Sequence, residues 1–129
     1  MFGELLDQVP AASEINEAIN RLNSSPFLID VLVNSTCYST ALFDTGCLPY
    51  AVFDLSFANQ THLPRLSVRH RSLKLAKEGP TIPITEMTYV TLDINGRAER
   101  VFGYVVDNLQ YNIILGKGWA ERNNVTVMH

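Results

Sequence analysis

Apolar residues along the chain follow two periods. Ile15, Ala18, Ile19 and Leu22 recur at i, i+3, i+4 and i+7, one stripe of a helix that begins at Glu14 behind Ser13 as its cap. Asn23-Ser24-Ser25-Pro26 stops that helix, and Leu5, Leu6 and Val9 before Pro10 suggest another short turn. A helix this short is marginal alone. Its stripe is expected to dock on the following domain, on a twin chain, or on a neighbour in a longer precursor.

From Pro26 the period changes to two. Phe27 to Val33 and Tyr38 to Phe43 are β-branched and aromatic runs on either side of a turn at Asn34-Ser35-Thr36. Arg71 to Ala76 and Thr81 to Ile94 flank Lys77-Glu78-Gly79-Pro80, whose Gly-Pro step is turn chemistry. Asn95-Gly96, between Tyr89 to Ile94 and Arg100 to Val106, predicts a type I′ hairpin. A short helix is expected over Gly118 to Asn123, and Val125-Thr126-Val127-Met128 as a closing strand. The pattern is mainly β with short helices near both ends, divided into a helical extension at 1–25 and a domain at 26–129.

Composition narrows the class. With 129 residues, 47% hydrophobic and 18% charged, the chain is long enough to bury roughly two-thirds of its unfolded surface in one core. No apolar run reaches the roughly 20 residues of a membrane-spanning helix, and Glu4 and Asp7 stand where a secretory signal would carry Lys or Arg. No membrane partner and an intracellular, cytoplasmic setting are therefore expected, and the four sequons at Asn23, Asn34, Asn59 and Asn124 carry no weight. Cys37 and Cys47, with three scattered histidines, are too few for a disulfide scaffold or a structural zinc site. Neither metal nor cofactor is expected.

Charge is uneven. Up to Pro64 seven acids face one base, and from Arg65 nine bases face six acids. Arg65, Arg69, Arg71, Lys74 and Lys77 cluster around His70. Interleaved with Leu66, Val68, Leu73 and Leu75, they read more simply as the wet face of a strand than as a nucleic-acid contact.

Asp44-Thr45-Gly46, directly after the apolar run Ala41-Leu42-Phe43, carries the candidate chemistry. Such a triplet arises by chance in roughly one chain in twenty-five of this length, so alone it also fits an ordinary Asp-x-Gly turn. Context adds to it. Far downstream, Ile113-Ile114-Leu115-Gly116 is a buried-type strand stopping at a glycine and leading into a segment with Trp119, and two long hairpins lie between the two motifs.

This order resembles the retropepsins, the half-size aspartic proteases of retroviruses and LTR retrotransposons, over about Pro26 to His129. Tyr111-Asn112-Ile113-Ile114-Leu115-Gly116-Lys117-Gly118-Trp119 is similar to the Tyr-Asp-Ile-Ile-Leu-Gly-x-x-Trp pattern common in the Ty3/gypsy branch. The resemblance implies a closed β-barrel, half of a pepsin-type fold, and hydrolysis of an extended peptide or polyprotein substrate. That reaction needs two carboxylates around one water, one ionised and one protonated, sharing a proton because like charges repel. Asp30, Asp54, Asp93 and Asp107 lack a glycine two positions on, so the second carboxylate is expected from Asp44 of a twin chain, in a homodimer.

The same resemblance implies the remaining roles. Asp44, Thr45 and Gly46 form the catalytic loop, with Thr45 bonding across the two-fold axis. Gly116 lies beneath it. Val52 and Ile114 wall an apolar substrate pocket that Cys47 lines as a small apolar group, although plain core packing also fits Val52 and Ile114. Lys77, Glu78, Gly79 and Pro80 form the tip of a flap, with Gly79 its pliable residue. Val125, Thr126, Val127 and Met128 pair with the twin at the dimer interface.

Three features depart from the family. Leu48 and Pro49 replace acids, the flap tip has one glycine, and the helix at Glu14 to Leu22 occupies the place of an N-terminal strand. A cellular relative of the ubiquitin-shuttle type, a silent dimerisation or peptide-binding module, and a generic β-barrel binder with a fortuitous triplet are the other expectations.

Overall fold

Tight turns with left-handed residues seed the sheet. The computed structural model describes residues 9–22 and 27–123. Asn34 (φ 52°) and Ser35 (φ 61°) turn β1 (Leu28–Val33) into β2 (Cys37–Phe43), and Val33 pairs with Cys37 across the loop. Asn95 (φ 54°) and Gly96 (φ 84°) join β5 (Thr81–Ile94) to β6 (Arg97–Val106). Positive φ at both central residues is the type I′ geometry that the Asn-Gly step predicts. Asp93 reinforces it, its Oδ1 accepting the Gly96 amide at 2.9 Å.

β3 (Ala51–Asp54), β4 (Leu66–Lys74) and β7 (Ile113–Leu115) complete a sheet of order β1-β2-β7-β3-β6-β5-β4. β5 has 14 residues, enough to pair with β4 along its first half, with β6 along its second, and with β1 at its end through Leu32↔Asp93 and Val33↔Leu92. That last contact closes β1, β2, β7, β3, β6 and β5 into a six-strand barrel, leaving β4 outside the ring as one arm of a hairpin. The fold is mainly β and closed into a barrel, as expected.

The barrel interior is filled by alternate residues of every strand, among them Val31, Ala41, Phe53, Val90, Leu92, Val101, Ile113 and Leu115. Each of the larger aliphatics buried there contributes about 1.5–3 kcal/mol. A second, smaller cluster sits on the other face of β3, where Cys47, Val52, Ile84 and Val106 are buried.

The helices are α1 (Ala12–Leu22), α2 (Leu55–Gln60) and α3 (Lys117–Arg122). α1 begins two residues before Glu14, its first turn closed by the Ile15 amide on the Ala11 carbonyl at 3.1 Å, so Ser13 lies inside the helix and does not cap it. Ile15 and Ile19 are exposed. α2 departs from the expectation of helices only near the chain ends. Asp54 caps it, Oδ2 accepting the Phe57 amide at 3.3 Å, while Oδ1 accepts the Leu109 amide at 3.0 Å. The carboxylate thus satisfies two backbone donors while itself buried. α3 is held by Phe43 edge-on to Trp119 and by Glu99, which accepts the indole N–H at 2.9 Å.

β4 also begins earlier than the expected arm at Arg71, and it ends at Lys74. Its bases Arg69, His70, Arg71 and Lys74 are exposed while Val68 and Leu73 turn inward. The expected strand Val125 to Met128, the stop at 23–26 and the turn near Leu5 lie outside the described residues. Among the described residues no helix is long and apolar enough to cross a membrane.

Candidate active site

The Asp44 loop grows from the end of β2. β2 runs parallel to β7, with Phe43 opposite Leu115, and the Asp44 amide extends that pairing by donating to the Leu115 carbonyl at 3.0 Å. The chain then turns at once. The Cys47 amide donates to the Asp44 carbonyl at 3.0 Å, and the Gly46 amide donates to Asp44 Oδ1 at 2.9 Å. A Cβ on Gly46 would lie 3.1 Å from that same Oδ1, so glycine leaves room for the carboxylate. Asp44, Thr45 and Gly46 are exposed, and the Thr45 hydroxyl makes no hydrogen bond among the described residues.

Beneath the loop, β7 gives way to Gly116. Its amide donates to the Tyr50 carbonyl at 2.9 Å, and the Lys117 amide donates to the Cys47 carbonyl at 3.0 Å. A Cβ at Gly116 would overlap the Pro49 carbonyl oxygen and come within 2.7 Å of that of Cys47. This close approach clamps residues 47–50 over the strand end and thereby sets where Asp44 emerges.

β7 lies between β2 and β3, parallel to one and antiparallel to the other, so Val52 and Ile114 become register partners. Both belong to the second apolar cluster with Cys47. The residues expected to wall a pocket are therefore brought together, close in the chain to the Asp44 loop. Burial first, and then the Asp44 charge, push the Cys47 thiol up to about 11. It is neutral at ordinary pH, consistent with a small apolar lining group.

The hairpin from β4 to β5 reaches this cluster by its arms. Leu73, Leu75 and Ile82 pack on Cys47, Val52 and Ile84, and the Leu48 amide donates to the Leu75 carbonyl at 2.7 Å. Lys77, Glu78 and Pro80 stand exposed, in a turn closed by the Gly79 amide on the Ala76 carbonyl at 3.0 Å. Gly79 is not left-handed, and a Cβ there meets nothing nearer than 3.4 Å. The tip does not require glycine. Sequence reasoning put the hairpin's role in its tip and missed Leu73, Leu75, Ile82 and Ile84, whose spacing by two within each arm was the available signal.

Two of the other aspartates have separate tasks: Asp54 serves α2 and Leu109, and Asp93 the Gly96 turn. Val125 to Met128, expected at a dimer interface, lie outside the described residues.

No protein-family model and no curated protein matches the chain. Solved structures do. The protease of EIAV, solved with the inhibitor HBY-793, is similar with a TM-score of 0.63 at 19% identity, covering 83% of this chain and 96% of that one. The retroviral protease-like domain of Ddi1 from Leishmania major is similar with a TM-score of 0.51 at 14% identity, covering 78% and 76%. At these identities the likeness establishes the fold.

Proposed function

We propose that this chain is one half of an aspartic endopeptidase of the LTR-retrotransposon, Ty3/gypsy-like type, which cuts a Gag-Pol-type polyprotein as a homodimer. The observation that carries this reading is the exposed Asp44-Thr45-Gly46 loop, projecting from β2 over the Gly116 clamp of a retropepsin-like barrel. Likeness to a retroviral protease supports it.

In this reading two Asp44 carboxylates face each other across a two-fold axis. One, ionised, takes a proton from water as that water attacks the scissile carbonyl; the other, protonated, gives its proton to the carbonyl oxygen. The proton taken from water then passes to the leaving nitrogen as the C–N bond breaks, a hydroxyl of the gem-diol returns its proton to the other carboxylate as the new carboxylic acid forms, and the dyad again shares one proton. Thr45, whose hydroxyl has no partner among the described residues, bonds the twin loop. Val52, Ile114 and Cys47 receive an apolar side chain next to the scissile bond. The hairpin closes over an extended peptide, pairing with its backbone.

A cellular protease is the second reading, favoured by the likeness to the Ddi1 domain. The test common to both is a peptide-library digest at mildly acidic pH with native protein and Asp44→Asn. The substitution keeps volume and removes the ionisable group, so a folded protein without proteolysis is expected; unchanged cleavage would overturn the proposal.

A further inference from the structure

A cavity of about 410 Å³ lies beside the Val52 and Ile114 cluster, among Pro49, Val68, Arg71, Met87, Phe102 and Tyr104. Sheet register ties it to the cleft. Val52 pairs with Tyr104, and Tyr104 with Met87, so one row of side chains runs from the cleft outward into the cavity. Val68 and Tyr104 also pack against the cluster that holds Cys47 and Val52, making a shared wall.

β4 is irregular here. Ser67 faces Glu86 and Arg71 faces Ile84, four steps on β4 against two on β5. Extra residues in one strand bend it and re-aim its side chains, and both Val68 and Arg71 line the opening.

Among the described residues, Arg71 is the only charged one lining the cavity. Its Nε donates to the Arg69 carbonyl at 3.4 Å, and it has no ion pair among the described residues, whereas Arg65 on the same side of the hairpin meets Glu86 at 3.5 Å. Arg69 and Lys74 stand exposed on the same strand, adding positive potential.

We infer that this cavity is a specificity site for an acidic substrate side chain, and that Arg71 selects it. The inference rests on the proposed peptidase reading and extends it to the substrate. Along an extended peptide, side chains two positions apart point the same way and stand about 6.6 Å apart. Under the peptidase reading, a peptide laid over this row that sets one side chain beside Val52 and Ile114 sends the residue two positions out toward the cavity. Glutamate suits it: its methylenes lie on Met87, Phe102 and Tyr104 while its carboxylate meets the guanidinium fork of Arg71. Lysine at that position would face like charge. Because the cavity has apolar walls around a single cation, a carboxylate on a short apolar stem fits it better than a polyphosphate chain.

Three peptides sharing an apolar core, with Glu, Gln or Lys two positions out, test this through the ratio of kcat/KM values. Native protein is expected to prefer Glu over Lys about five- to tenfold. Arg71→Gln should bring the ratio close to one, and Arg71→Glu should reverse it. A ratio unchanged by either substitution overturns the inference. If no peptide is cut, the peptidase reading fails and the cavity is judged by binding of the fluorescein-labelled peptides to the Asp44→Asn chain. Tighter binding of the Glu peptide, reversed by Arg71→Glu, supports the site; equal binding overturns it. Arg71-dependent binding of a single-stranded RNA oligomer without a Glu preference also overturns it and gives β4 to nucleic acid.

Discussion

The Leu48 amide and the Leu75 carbonyl, 2.7 Å apart, join the segment after the Asp44 loop to the hairpin above it. With Leu75 packed against the cluster that holds Cys47 and Val52, the hairpin occupies a backbone donor and covers the apolar surface that the proposed reading gives to an extended peptide. Under the proposed peptidase reading, a peptide displaces the hairpin to bind.

That displacement is readable through Cys47, buried under the hairpin, against Cys37, which is partly exposed. In native protein at pH 8, alkylation should label Cys37 first and Cys47 slowly. Leu75→Ser removes part of the apolar contact, about 1 kcal/mol, and should speed Cys47 labelling about fivefold. Mass spectrometry of the labelled peptides measures both sites. Equal rates at Cys47 in the two proteins would show that Leu75 does not hold the hairpin down.

The same thiol predicts a pH dependence of stability. A Cys47 group raised from 9.0 to about 11 binds its proton more tightly folded than unfolded. Its contribution is fully present below pH 9 and falls as pH rises through 9 to about 11, because the unfolded chain releases that proton first. Urea unfolding at pH 8 and pH 10.5 should show a drop that shrinks in Cys47→Ala.

Gly116 and Gly79 should respond oppositely to alanine. At Gly116 a Cβ overlaps the backbone oxygen of Pro49 and crowds that of Cys47, which accepts the Lys117 amide, so nothing can give way cheaply. Gly116→Ala is expected to cost more than about 3 kcal/mol or to prevent folding. Gly79→Ala meets only ordinary contacts and should stay within about 0.5 kcal/mol of native. Thermal unfolding of the two variants measures the contrast.

Thr88 is fully buried in β5, and its hydroxyl has no hydrogen-bond partner among the described residues. Thr88→Val keeps the shape and removes the unpaired polar group. Stability should rise by about 1 kcal/mol, seen as a higher urea midpoint with an unchanged slope.

If two chains share one dyad, activity per chain should fall on dilution. Removing residues 124–129 takes away the expected pairing strand and leaves the described barrel whole, so sedimentation should find a folded, inactive monomer. A truncated chain that still sediments as a dimer would place the interface elsewhere, with Ile15 and Ile19 next to test.

What the sequence determined by itself was local. Asn95-Gly96 dictates its turn because few residues tolerate two successive positive φ values, and alternation in β5 and β6 sets which side chains face the core. The Asp44 triplet and the Ile113 to Gly116 run were legible as motifs for the same reason, since each depends on neighbours in the chain. Tertiary structure decided the rest. α2 exists where Asp54 can satisfy both Phe57 and a remote donor, Leu109, and nothing near Asp54 announces Leu109. Closure of the barrel depends on Val33 meeting Leu92, and the second apolar cluster on Val52 meeting Ile114, pairings separated by most of the domain. Leu75 shows the limit most plainly. A half-apolar arm reads the same whether it faces solvent, a core or a cleft, because apolar burial has no direction until the partner surface is in place.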